Sequence, residues 1–150
     1  MHKVLMICHG NICRSTMAEF VLKDMVFKKG LESEFLINSA GTSTEELGSD
    51  THIGTRKKLA QMNIPFTKRE ARQVNKADYD DYDYLICMDR NNVRNLHRII
   101  EQDKDNKVCL FMEFTGDNRD IADPWYTGNF DETYDDILNA CTAFLKKIIK

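Results

Sequence analysis

A chain of 150 residues with 42% apolar and 30% charged side chains can bury one core and is expected to form one domain, residues 1–150. Its net charge of −3 gives no basic field for nucleic acid, and its first apolar run, Val4–Cys8, is too short for a secretory leader or a membrane span. Five scattered cysteines, an odd number, argue against a disulfide framework and for a reducing, cytoplasmic setting, with leaderless secretion left open.

Val4 to Ile7 reads as a buried strand. Ser15 or Thr16 then precedes a helix whose apolar residues, Met17, Val21, Leu22, Met25 and Val26, recur at helical spacing; Glu19 sits in its first turn and Lys28, Lys29 and Gly30 close it. Phe35–Asn38 is a second strand. Thr51–Met62 is a helix with Ser49 or Asp50 as cap. Tyr84–Met88 is a third strand, approached through the acidic "DYDDYDY", read as a solvated segment. A helix follows with Val93, Leu96, Ile99 and Ile100 on one side, then a fourth strand, Val108–Met112. After a polar stretch, Thr115–Asn129, a last helix begins with Asp131 as cap and carries Tyr134, Ile137, Leu138, Cys141, Leu145 and Ile148 as its stripe.

This alternation predicts an α/β fold: a parallel four-stranded sheet, doubly wound in the flavodoxin manner, with helices on both faces. Such sheets bind ligands beyond the carboxyl ends of their strands. Cys8 ends the first strand there, and the loop "CHGNICRS" feeds a helix N-terminus, whose unpaired N–H groups attract anions. Gly10 permits a left-handed turn that would aim successive amides inward. A thiol in that field ionises readily. Arg14 brings a planar fork suited to two oxygens of a tetrahedral anion, Ser15 can donate to a thiolate, and Asn11 can brace the loop.

Alone, Cys8 would be read as an inert strand-end thiol. Zinc is disfavoured, because Cys8, His9 and Cys13 find no further ligand cluster, and Cys-Arg-Ser stands where a nucleotide-binding loop needs Gly-Lys-Ser/Thr. A thiolate attacking a phosphate ester also needs an acid at the leaving oxygen. "ADPWYTG" offers Asp123, with Trp125 and Tyr126 as walls for an aromatic ring; the plain alternatives are a turn-forming Asp-Pro and packing aromatics. Cys87, Cys109 and Cys141 are read as core thiols.

"ICHGNICRS" and "ADPWY", with "NSAGTS", "NIP", "ARQV" and "YDYLICMD" in order between them, resemble the low-molecular-weight protein tyrosine phosphatase family over essentially the whole chain. The resemblance implies protein phosphotyrosine and small aryl phosphates as substrates. It implies Cys8 as nucleophile and a phosphocysteine intermediate. Arg14 and the loop amides from His9 through Ser15, including Gly10 and Ile12, would bind phosphate. Asp123 would be general acid and then base. Ser15 would support the leaving thiolate, Asn11 and Ser39 would belong to the network that shapes the loop, and Cys13 would be a packing residue, a redox partner of Cys8, or both. It implies no metal and no cofactor, phosphoprotein partners, and no nucleic-acid or membrane partner; a monomer is favoured. Arsenate reductase on the same scaffold is the alternative, disfavoured because no relay cysteine lies between Cys87 and Cys109. A non-catalytic phosphotyrosine-binding module would have no need of Cys8 and Asp123 together.

The chain departs from the family at three places. His9 stands where Leu is frequent. Thr44, Glu45 and Glu46 replace an aromatic near the mouth, so Glu45 becomes a wall residue that would repel acidic flanks. "FTKRE" replaces a segment that often supplies His to the loop network, which must therefore close differently.

Overall fold

The computed structural model describes residues 1–149. Four strands, β1 (His2–Cys8), β2 (Phe35–Gly41), β3 (Tyr84–Cys87) and β4 (Val108–Leu110), lie parallel in the order β2-β1-β3-β4. The helices are α1 (Arg14–Lys28), α2 (Ile53–Gln61), α3 (Ala77–Asp81), α4 (Arg90–Ile100), α5 (Pro124–Thr127) and α6 (Phe130–Ile148).

The central strand β1 is apolar on both sides because both sides are covered. Val4, Met6 and Cys8 join α1 and α6 in one core, with Leu59 of α2 among them. Leu5 and Ile7 point the other way and join Tyr79, Leu96 and Ile100 from the α3 and α4 side. Leu5, Met6 and Ile7 are fully buried, and each such side chain is worth about 1.5–3 kcal/mol relative to exposure. The connection from β1 through α1 leads to β2 on one flank, and the connection from β3 through α4 leads to β4 on the other. The two part at the carboxyl ends of β1 and β3, and a crevice opens there.

Several boundaries differ from the sequence expectation. Helix α1 starts at Arg14, with Cys13 preceding it and no side-chain cap, so Ser15 and Thr16 lie inside the first turn and Glu19 beyond it. His52, not Ser49 or Asp50, caps α2, its Nδ1 accepting from Gly54 N. Asn129, not Asp131, caps α6. The acidic "DYDDYDY" is not merely a solvated approach: it forms α3 and buries Asp78, Tyr79 and Tyr82. Arg72 holds the Asp78 carboxylate from both guanidinium nitrogens, and Tyr79 Oη donates to Asp103 at 2.6 Å. Local charge density misled there because each buried polar group finds a partner, Asp78 in nearby Arg72 and Tyr79 and Tyr82 in the distant Asp103 and Asn38. The polar stretch before α6 contains α5 and the buried Ile121. Cys87 and Cys141 are buried as expected, whereas Cys109 is half-buried.

Candidate active site

Residues 8–15 wrap the carboxyl end of β1, and the loop after β2 brackets them. Thr42 N donates to Cys8 O and Ser43 N to His9 O, each at 3.0 Å. Gly41 must be glycine for this approach: a Cβ there would stand 2.8 Å from His9 O and 3.2 Å from two Asn11 atoms. The left-handed residue of the loop is Asn11, with φ of 58°, and not Gly10. Asn tolerates that conformation better than most residues because its short side chain can bond locally. From His9 to Ser15, no backbone N–H donates to another group among the described residues. A run of free donors at a helix start is a cradle for a tetrahedral anion.

Beneath the cradle the side chains form a network whose donor directions can be followed. Asn11 Oδ1 accepts from Arg69 Nη2 and from Arg72 N, which fixes the orientation of the amide. Its Nδ2 therefore donates, at 2.9 Å, to both Ser15 Oγ and Ser39 Oγ. Ser39 Oγ in turn donates its hydroxyl hydrogen bond to Glu19 Oε1. Ser15, already an acceptor from Asn11, has its hydroxyl proton free for Cys8 Sγ, 3.0 Å away. Sequence reasoning did not single out Arg69 and Glu19 as site residues. Arg69 closes the network that "FTKRE" left open. Burial pulls its pKa down against the opposing charges of Glu19, Asp50 and Cys8.

Arg14 is 2% exposed. Its Nη1 donates to Asp89 Oδ2 at 2.7 Å and to Ile121 O at 2.8 Å, and Nη2 lies 3.4 Å from Asp123 Oδ2. Burial works against its charge, but Cys8, Asp89 and Asp123 outweigh that and raise its pKa further. Asp89, at the end of the β3 segment, was also missed; its carboxylate both caps α4 and aims Arg14.

Asp123 is a turn-former and a site residue at once. Its Oδ1 accepts from Trp125 N at 3.0 Å while its Oδ2 faces Arg14. With Cys8, His9, Gly10, Ile12, Cys13, Glu45, Glu46, Trp125 and Tyr126 it lines one cleft of about 90 Å³. The structure thus brings every sequence-predicted wall residue to the same mouth. Trp125 is 55% and Tyr126 82% exposed. His9 Nε2 pairs with Glu45 Oε2 at 3.0 Å across the rim. Burial, with the neighbouring Cys8 and Asp123 charges, pushes the Cys13 thiol up to about 12. Among the described residues no cluster of His, Cys, Asp and Glu could hold a metal ion, and no helix is long and apolar enough to cross a membrane.

A model of low molecular weight phosphotyrosine protein phosphatases matches residues 3–150. The chain belongs to that family. It is 38% identical to the low molecular weight protein-tyrosine-phosphatase YfkJ of Bacillus subtilis, covering all of this chain and 97% of the relative. The YfkJ crystal structure superposes with a TM-score of 0.95 over 99% of this chain and 94% of that one. The phosphatase PtpA of Staphylococcus aureus is 34% identical over 98% of this chain and 94% of its own. A Drosophila arginine phosphatase, 28% identical, superposes with a TM-score of 0.90 over 99% of this chain and 98% of its own. Membership makes the chain a protein-tyrosine phosphatase, a hydrolase of phosphotyrosine.

Proposed function

We propose that this phosphatase acts through a phosphocysteine on Cys8. The observation that carries the reading is the sequence of directed hydrogen bonds ending at Cys8 Sγ beneath a run of free amides. Phosphate enters the cradle, and Arg14 turns part of its fork from Asp123 toward two phosphoryl oxygens while Asp89 holds the other side. The Cys8 thiolate attacks phosphorus, the S–P bond forms and the P–O bond to the phenol breaks. Asp123 gives its proton to the departing phenoxide. Water then enters, Asp123 takes its proton, the oxygen bonds phosphorus and the thiolate leaves toward the Ser15 hydroxyl. Positioning and charge account for the rest, as phosphoryl transfer requires.

The substrate walls are Ile12, His9, Glu45, Trp125 and Tyr126. Apolar and aromatic surface around a narrow cleft suits an aryl ring more than a short polar chain. Cys13, held protonated, does not compete with Cys8 for phosphate. As a redox partner it would act after peroxide converts Cys8 to a sulfenic acid: the two sulfurs join and water leaves. Phosphotyrosine-bearing proteins in the cytoplasm are the proposed partners.

The test is hydrolysis of p-nitrophenyl phosphate and of a phosphotyrosine peptide without added metal, with phosphoarginine as comparison. Cys8→Ser is expected to lose at least about a thousandfold in kcat. In kcat/KM, Asp123→Ala is expected to lose roughly a hundredfold on the peptide and much less where the leaving group needs no proton. Undiminished activity in Cys8→Ser would sink the mechanism, and preferential cleavage of phosphoarginine would sink the substrate assignment.

A further inference from the structure

Behind the Trp125 wall stands a histidine outside the motifs that identify the family. The His52 ring stacks on Phe130, with centroids 5.5 Å apart and planes at 16°. Its other contact is edge-to-face with Trp125, also at 5.5 Å and at 76°. The His52 backbone N–H donates to Ile12 O at 2.8 Å, so the residue that carries the ring is anchored to the phosphate loop. Gly54 keeps the seat open, because a Cβ there would fall within 2.3–2.8 Å of three Phe130 ring atoms. Three elements therefore meet on one residue: the phosphate loop at its backbone, and the start of α6 and the acid loop at its ring.

The connection onward to the acid is short. Trp125 N donates to Asp123 Oδ1, and the only other side-chain tether of that carboxylate among the described residues is Arg14. When Arg14 turns to phosphate, the Trp125 N–H is the remaining tether. Where Trp125 sits then decides where the carboxylate points.

We infer that His52 is a positioning residue: its ring, and not its cap on α2, seats Trp125 and through it aims Asp123 at the leaving oxygen. This rests on the phosphocysteine reading above. Edge-to-face contact is directional, so a ring in this seat fixes Trp125 on one side and leaves its opposite side to the cleft. An ångström-scale drift of a catalytic group costs as much as a hundredfold.

Two substitutions separate ring from cap. His52→Asn keeps a good helix cap and removes the ring; His52→Phe keeps a ring and removes the cap. Each is assayed in the full chain on phenyl phosphate, whose leaving group needs a proton, and on 2,4-dinitrophenyl phosphate, whose leaving group does not. His52→Asn is expected to lose roughly tenfold in kcat/KM, which reports departure of the leaving group and not the later hydrolysis shared by both esters, on phenyl phosphate and less than about twofold on the dinitrophenyl ester. Its retained activity on the dinitrophenyl ester also reports an intact fold. His52→Phe is expected to stay within about twofold of the parent on both substrates. Trp125 is the single tryptophan, so its emission reads the seat directly and is expected to shift in His52→Asn more than in His52→Phe. The inference is overturned if His52→Asn matches the parent, if it falls equally on both esters, or if His52→Phe falls as far as His52→Asn. Full activity in Cys8→Ser would instead bring down the phosphocysteine reading itself, a result the His52 variants cannot mimic.

Discussion

The two walls of the cleft differ in how they are held. Between Cys8 and Ser15 nearly every side chain is buried, and Asn11 alone makes four hydrogen bonds, two as donor and two as acceptor. Between Asp123 and Gly128 the chain turns once, exposes Trp125 and Tyr126, and depends on a few contacts. In the proposed mechanism the first wall meets a phosphate, which is the same in every substrate, and can be rigid. In the same proposal the second meets the rest of the substrate, which varies, and has to release and protonate a leaving group. Preorganisation is concentrated where charge is constant.

Substitutions can break that contrast, starting on the rigid side. Arg14→Lys retains a charge but cannot span Asp89, Ile121 and a phosphate together; kcat/KM on p-nitrophenyl phosphate is expected to fall roughly a hundredfold. Asn11→Ala removes the centre of the buried network and places a Cβ-bearing residue without local bonding at a positive φ. Unfolding by denaturant is expected to show a loss of roughly 2–4 kcal/mol, with activity falling in parallel. Equal stability in Asn11→Ala would mean the loop does not depend on this network. On the exposed side, Trp125→Ala is expected to cost about tenfold on aryl phosphates while the melting temperature barely moves. Untouched aryl activity would remove Trp125 from the wall. The smallest effect belongs to the rim. Glu45→Gln should raise kcat/KM two- to threefold, roughly, on phosphopeptides with acidic flanks, and added salt should erase the gain. Improvement that survives high salt would show that repulsion by Glu45 is not its cause.

How much of this was legible depended on how local each signal was. Cys8, Arg14 and Ser15 fall within one loop, so spacing and type sufficed. Asp123 could be found because Pro124, Trp125 and Tyr126 mark its loop. The choice of Asn11 over Gly10 for the left-handed position could not be read from composition, since both residues tolerate it. Arg69, Asp89 and His52 were missed for another reason. Their partners lie 58, 75 and 73 or 78 positions away, and only the strand order brings them together. Asp89 had a usable signal, an acid directly after a buried strand, where parallel sheets place their chemistry. Arg69 also had one, the cation in a segment lacking the expected histidine. His52 had none that distinguishes it from an ordinary surface ring.

The three partners of Arg14 lie 75, 107 and 109 positions further along the chain. A nascent polypeptide therefore exposes its thiol and its arginine long before it makes the groups that aim them. Contacts of such separation form late and collectively, because most of the chain must close before they can. A peptide ending before Ile121 would hold the loop and the partners of Asn11 but lack two of the three groups that aim Arg14. Synthesis thus carries its own timer: the aim of Arg14 waits for residues 121–123.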